Sequence, residues 1–302
     1  MWCKYSIQDM MKRLFLSLTI VLAAFSSRAA GVVPGNWGDD AAAKPVTLNV
    51  SSLTGYGLLS NHYISDWQFG GLTLGWSADV GRYFKNSENG AWKLAFRYAG
   101  NAEILGGMTD ASNMESVDFK EYALNYSVYY NWHIGDGFRI KLGGAIDVVG
   151  DLMSAKEIAT NNAVSANGTA LLEAVMGMNY TFGFDNWMLA LYADASSPLG
   201  GVVFTDSKHE SGLASILPGD RLMNGYDRHF KGTAIPSMTG VDCDFGIRFI
   251  TPKLTIGLAC TSYNRWWYVN DIQNYRSNSY LKLSLGFDLV GARQTKTTQR
   301  YF

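Results

Sequence analysis

The sequence is poor in the features that mark several large classes of protein. It has 3 cysteines and 6 prolines among 302 residues, and 25 lysines and arginines against 26 aspartates and glutamates. This balance of charge gives no electrostatic reason to expect a nucleic-acid partner. Beyond residue 25, no apolar stretch reaches the roughly 18 residues that a membrane-spanning helix needs. No phosphate-binding glycine loop, nucleotide fingerprint or metal-ligand cluster is found, so we expect no cofactor and no metal.

The amino terminus has the pattern of a secretory signal. Met11, Lys12 and Arg13 precede an apolar run from Leu14 to Phe25, and small residues follow it. We therefore expect a signal peptide over residues 1–29, with the true start at Met10 or Met11. Residues 30–45 are expected to form a periplasmic lead-in, residues 46–290 the folded domain, and residues 291–302 a polar carboxy-terminal tail.

Apolar and polar residues alternate with the strand period of two in about ten segments. In the last of these, Leu281, Leu283, Leu285, Phe287 and Leu289 share one parity, and Lys282 and Asp288 share the other. The predicted strands cover residues 46–53, 71–82, 91–99, 121–132, 138–149, 171–182, 187–195, 241–249, 254–262 and 280–290. Residues 201–204 and 237–240 add to these strands or form two more, for a total of 12.

The predicted connections alternate in length. Those after the even-numbered strands are a few residues long, whereas those after the odd-numbered strands run from roughly fifteen to forty residues, which is typical of the short periplasmic turns and long extracellular loops of outer-membrane barrels. A soluble sandwich predicts no such alternation. We therefore predict an all-β fold, a transmembrane up-and-down antiparallel barrel of about ten strands, with its apolar parity facing lipid.

The signal peptide, the alternating strands, the alternating connections and the terminal Phe302 together resemble the small outer-membrane β-barrels of Gram-negative bacteria. The stretches Gly55-Tyr56-Gly57, Asn61-His62-Tyr63-Ile64-Ser65 and Gly70-Gly71 are also similar to an early signature of an uncharacterised barrel family, which brings no known activity. The resemblance implies a location in the outer membrane. The implied partners are membrane lipid around the barrel and, during biogenesis, periplasmic chaperones and the barrel-assembly machinery.

The polar parity of the strands includes charges of both signs. In a barrel, these side chains point into the lumen. These residues are Asp79, Lys93, Arg97, Arg139, Lys141, Asp147, Asp242, Asp244, Arg248, Lys282 and Asp288. Because a barrel of about eight strands is just filled by side chains, two alternatives stay open. Either the charges pair and fill the lumen, or they line a narrow, weakly selective pore.

Cys243 and Cys260 fall on the lipid-facing parity of two adjacent predicted strands. A turn centred between Thr251 and Pro252 would place these cysteines opposite each other. One alternative is a cross-strand disulfide formed in the oxidising periplasm, and the other is two small apolar residues facing lipid.

The exterior loops are the expected place of function, since loops on a rigid scaffold usually carry binding residues. Arg265, Trp266, Trp267 and Tyr268 are loop candidates for an extracellular ligand or for an outer aromatic girdle. Asp206 with His209 and Asp227 with His229 are the only acid and histidine pairs that suggest a hydrolase at the outer rim. We expect a surface-binding or structural protein that is not an enzyme, with a pore and a rim hydrolase as alternatives.

Overall fold

The computed structural model describes residues 45–84, 87, 89–101, 105–107, 116–134, 137–156, 164–183, 187–206, 229–235, 237–251 and 254–289. Almost all of them lie in strands. The strands are β1 (Thr47–Asn61), β2 (Ser65–Tyr83), β3 (Gly90–Asn101), β4 (Leu105–Gly107), β5 (Ser116–Ile134), β6 (Phe138–Lys156), β7 (Val164–Gly183), β8 (Met188–Phe204), β9 (Phe230–Ala234), β10 (Met238–Ile250), β11 (Thr255–Val269) and β12 (Ile272–Asp288). No helix within these ranges is long and apolar enough to cross a membrane.

Ten of the strands form a closed antiparallel ring. Its order is β1-β12-β11-β10-β8-β7-β6-β5-β3-β2, and β2 pairs with β1 to close it. The short strand β4 lies between β2 and β5 beyond the end of β3, and β9 pairs with the last part of β8. These two segments lengthen the wall without adding a position to the ring. The prediction of a ten-stranded barrel is confirmed, and residues 201–204 and 238–240 extend β8 and β10.

We name the two ends of the barrel from the chain. The first residue of β1, Thr47, pairs with Asp288, the last residue of β12. The end at which they meet is called the terminal end, and the opposite end is called the loop end. The signal-peptide, lead-in and tail predictions for residues 1–44 and 290–302 lie outside the described residues.

The dyad pattern sorts side chains between the outer face and the lumen. Leu281, Leu283 and Leu289 are 55%, 43% and 52% exposed on the outside, whereas Lys282 binds Asp244 within the lumen. The Thr47 hydroxyl donates to Asp288 at 2.9 Å. The outward parity is therefore the apolar one, as expected for a sheet that faces lipid.

Aromatic side chains gather on the outer face near the terminal end. Within one strand, Tyr130 pairs with Trp132 and Tyr180 with Phe182. Across neighbouring strands, Phe138 pairs with Tyr180 and Trp187 with Phe249. Their ring centroids lie 4.6 to 6.5 Å apart. This band has the composition of the aromatic girdle that outer-membrane barrels place at a membrane interface.

Two of the five connections predicted to be long are tight turns. β1 and β2 are joined by residues 62–64 alone, and β11 and β12 by Asn270 and Asp271, whose φ angles of 56° and 61° match a tight hairpin turn. Residues 54–61, 65–70, 263–269 and 272–279 therefore continue the strands. The dyad pattern does not reveal them, because glycine and polar residues interrupt it at the loop end.

Candidate functional site

Charged side chains from several strands meet in the lumen. Its centre is Arg265 of β11, which is 5% exposed. Its guanidinium forms a two-pronged pair with Asp242 of β10, at 3.0 and 2.7 Å. It also binds Glu173 of β7 and lies 3.4 Å from Asp147 of β6. One buried cation therefore links four strands of the wall.

Arg276 of β12 forms a second crossing toward the loop end. Its Nη1 lies 2.8 Å from Glu121 of β5 and 3.0 Å from Asp151 of β6. Glu121 also accepts a hydrogen bond from Arg97 of β3 at 2.6 Å, and the Arg97 guanidinium stacks 3.4 Å from the ring centroid of Tyr263. We call Arg97, Arg265, Arg276 and the five carboxylates that face them, Glu121, Asp147, Asp151, Glu173 and Asp242, the arginine network.

A second group of charges lies closer to the terminal end. Lys141 binds Asp194 at 2.7 Å, and Lys282 binds Asp244. Two small cavities of about 40 and 20 Å³ lie among these side chains, and a larger one of about 150 Å³ reaches from them to the arginine network. We call the group that lines the two small cavities the vestibule; its charged members are Asp79, Lys93, Arg139, Lys141, Asp194, Asp244, Arg248 and Lys282.

Apolar side chains close the lumen at the loop end. Tyr63 and Ile64, in the turn between β1 and β2, are 7% and 3% exposed. They belong to one buried cluster with residues of β1, β2, β5, β6 and β12, which we call the rim cluster: Leu59, Tyr63, Ile64, Phe69, Val117, Phe119, Met153 and Ile272. Because β5 and β6 stand across the ring from β1, this turn folds over the lumen.

Asn61 holds this turn in place. Its side-chain oxygen accepts a hydrogen bond from the backbone N–H of Tyr63 at 2.9 Å, and its backbone carbonyl accepts one from Ile64 at 3.0 Å. Its amide nitrogen donates to Ser165 at 2.8 Å. Ser165 lies on β7, the strand directly across the ring from β1, so this bond spans the lumen.

A family model described as "Protein of unknown function (DUF3316)" matches residues 14–283, which is most of the chain. The chain belongs to the DUF3316 family. The predicted resemblance to an uncharacterised barrel family is thus confirmed. The motif that suggested it, Asn61 to Ser65, forms the turn that closes the DUF3316 barrel. Comparison with curated protein sequences finds no match.

Solved outer-membrane barrels resemble the DUF3316 chain only distantly. Neisserial surface protein A is 10% identical, with a TM-score of 0.33 over 80% of this chain and 97% of its own. An outer membrane channel from Pseudomonas putida F1 is 11% identical, with a TM-score of 0.37 over 85% and 99%. The translocator domain of the autotransporter NalP from Neisseria meningitidis is 9% identical, with a TM-score of 0.34 over 92% and 99%. Likenesses at this level say nothing about what the DUF3316 chain binds.

The four loop candidates lie in a strand of the DUF3316 barrel. Residues 265–268 are part of β11, so the prediction that they form an exterior loop is wrong. Successive side chains of a strand point to opposite faces. Arg265 and Trp267 accordingly face the lumen, and Trp266 and Tyr268 face outward. Trp267 is 2% exposed and packs in a buried cluster with Leu171, Val203, Met238 and Val269.

Tyr268 is the one of the four that is freely exposed at the loop end. Its side chain is 49% exposed, and its hydroxyl donates a hydrogen bond to Asp271 at 3.3 Å. The charge of the Asp271 carboxylate raises the pKa of the Tyr268 phenol. Of the candidates for a surface ligand, only Tyr268 is both aromatic and open to solvent at this rim.

The predicted pairing of the two cysteines is also wrong. The β10–β11 register pairs Ile250 with Thr255, Cys243 with Ser262 and Cys260 with Phe245, so the ladder is shifted by two residues from the predicted one. Both thiols are free. The side chains remain on the outward parity, so the alternative of two small residues facing lipid agrees with the structure.

Each of the two predicted histidine pairs has one member that the structure does not describe. His209 and Asp227 lie outside the described residues. His229 is 1% exposed, with Nδ1 3.0 Å from the Thr205 carbonyl oxygen, and Asp206 accepts a hydrogen bond from Ser165. Within the described ranges, no group of three or more histidine, cysteine, aspartate or glutamate side chains is placed to hold a metal ion.

The sequence pattern does not predict several buried residues of the lumen. Asp151 and Arg276 lie beyond the predicted strands, although each continues the polar parity of its strand. Extending the parity of β6 by four residues from Asp147 would have found Asp151. The pairing of Arg276 with Glu121 leaves no such trace in the sequence, since the two residues meet only when the ring closes.

Proposed function

We propose that the protein is an outer-membrane barrel of a Gram-negative bacterium whose lumen does not conduct, and that it acts at the cell surface through its loop end as a binding or structural protein. The terminal end then faces the periplasm, because both ends of the barrel domain lie there. An even number of ring strands is what this arrangement requires.

The observation that carries the proposal is the filling of the lumen across its width. Arg276 reaches Asp151 on the strand directly across the ring, and Asn61 reaches Ser165 in the same way. The other side chains of the arginine network and the apolar rim cluster lie in the lumen between and beyond these two bridges. A barrel of ten strands is close to the size that side chains can fill.

The length of the strands supports a role at the loop end. About ten residues are enough for a strand to cross a membrane, whereas β5, β6 and β7 have 19, 19 and 20 residues. Since the aromatic band lies near the terminal end, the surplus length extends past the membrane at the loop end. The strands and tight turns at the loop end are rigid and carry exposed side chains such as Tyr268. They form a surface on which a partner can bind.

Planar-bilayer recording tests the closed lumen. We expect the refolded protein to give no discrete conductance steps under conditions in which a known porin conducts. A stable conductance in the wild-type protein would contradict the proposal and support the narrow pore.

Cysteine labelling in intact cells tests location and orientation. In a C243A/C260A background, Gln273→Cys at the loop end should react with a membrane-impermeant maleimide. His133→Cys at the terminal end is the matched control and should react only after the outer membrane is permeabilised. Recovery of the protein in the soluble periplasm, or the reverse labelling pattern, would rule the proposal out.

A further inference from the structure

Among the described residues, positive and negative charges of the lumen are separated along its axis. The vestibule has five cations, Lys93, Arg139, Lys141, Arg248 and Lys282, and three carboxylates, Asp79, Asp194 and Asp244. The arginine network has three cations and five carboxylates. The terminal half of the lumen therefore carries an excess of positive charge, although Asp288 lies at its rim.

Lys93 contributes to this excess without a salt bridge to any carboxylate in the described part of the chain. Lys141 and Lys282 each bind a carboxylate, and Asp79 accepts a hydrogen bond from Asn49 at 3.0 Å. The Lys93 ammonium, by contrast, forms no ion pair or hydrogen bond with any residue that the structure describes, although it lines both the 40 Å³ and the 150 Å³ cavities. A partly enclosed ammonium group gains from an anionic partner, because the attraction of opposite charges is stronger where water is partly excluded.

Solvent reaches the vestibule more readily than the arginine network. The side chains of Lys141, Lys282, Asp194 and Asp244 are 13 to 25% exposed. Six of the eight side chains of the arginine network are 1 to 9% exposed, and the other two, Arg97 and Asp242, are 12% and 17% exposed. The rim cluster closes the loop end. A solute therefore has access to the vestibule from the terminal end, and the network blocks its further passage.

We propose that the vestibule is a binding site for a small oxyanion, a phosphate or a carboxylate, that enters from the terminal end. Lys93 supplies the free charge. The Arg248 guanidinium, which stacks 3.6 Å from the ring centroid of Tyr192, adds a second positive charge to the lining of the same cavity. The site is separate from the surface role of the loop end.

Titration calorimetry of the folded protein in a phosphate-free amine-oxide detergent tests the site. Inorganic phosphate and succinate are the two probes, which distinguish a phosphate site from a carboxylate site, and choline is the cation control. We expect saturable binding of at least one anion and none of choline. The absence of binding by both anions at millimolar concentration, or equal binding of choline, would overturn the proposal.

Two variants with opposite expected effects assign the site to the vestibule. Lys93→Gln should weaken anion binding about tenfold or more, because a charge-assisted contact is lost. Asp79→Asn should strengthen binding about threefold, because a nearby repulsive charge is removed. Lys120→Gln, an exposed lysine of the loop end, is the matched control and should bind as the wild type does.

Urea unfolding shows whether a variant that loses anion binding is still folded. Because Lys93 has no described partner, Lys93→Gln should unfold at the same urea concentration as the wild type. Unchanged anion binding in Lys93→Gln would place any site elsewhere and refute the proposal. The conductance and labelling tests of the surface role do not depend on this outcome.

Discussion

The guanidinium of Arg276 on β12 lies 3.0 Å from the carboxylate of Asp151 on β6, the strand directly across the ring. The side chains of Arg276 and Asp151 are 6% and 9% exposed. A buried pair of this kind contributes little net stability, yet the loss of one member is costly because the other is left as an unpaired buried charge. The pair thus holds opposite walls of the barrel together.

Removal of Arg276 should destabilise the barrel strongly. We expect Arg276→Gln to lower the free energy of unfolding by about 3–5 kcal/mol, since Asp151 loses its cation and Glu121 keeps only Arg97. Urea unfolding in lipid vesicles measures the change. In the double variant R276Q/D151N part of the loss should be recovered, and a double variant less stable than R276Q alone would argue against the crossing.

The neighbouring tryptophans 266 and 267 should differ sharply in their contribution to stability. Trp267→Ala removes a large side chain that is 2% exposed in a packed lumenal cluster, and we expect a loss of about 3–5 kcal/mol. Trp266→Ala is the matched control on the outer face and should cost much less. Similar losses for both variants in urea unfolding would mean that the two side chains do not point to opposite faces.

Gly55 should not tolerate a side chain. It lies on β1, beside β12, where a methyl group would overlap the carbonyl oxygen of Ser279. We therefore expect Gly55→Ala to weaken the seam that closes the ring and to cost about 1–3 kcal/mol. The electrophoretic mobility shift of the folded barrel on heating measures this effect. Gly232→Ala, where a methyl group meets nothing within 4 Å, should unfold at the wild-type temperature.

The two cysteines should remain reduced under oxidising conditions. Peptide mapping without reductant should recover Cys243 and Cys260 as free thiols, because their partners across the β10–β11 ladder are Ser262 and Phe245. As a positive control for the register, Ser262→Cys in a C260A background should be joined to Cys243 by a short thiol-specific cross-linker. A native bond between Cys243 and Cys260 would show that the ladder is shifted from the register described.

Much of the barrel was predictable because its strands follow a simple alternation of apolar and polar residues. A strand with lipid on one side and a polar lumen on the other must alternate, as in the Leu281 to Leu289 row, and this alternation identified the membrane-crossing part of all ten ring strands. The alternation weakens at the loop end. There both faces of a strand can be polar, so residues 54–61 and 263–269 resembled loops although they continue β1 and β11.

The fold class, the outward parity of the strands and the presence of charges of both signs in the lumen can be inferred from the sequence, because each of these follows from the period of two in a single strand. The folded ring is needed to know which side chains meet, as in the pairs of Arg276 with Asp151 and of Asn61 with Ser165. It also revealed that the turn at Tyr63 and Ile64 closes the loop end, and that Lys93 is left without a described partner. These relationships join residues that are distant in the chain, and they depend on the register and the closure of the ring, which a local pattern does not contain.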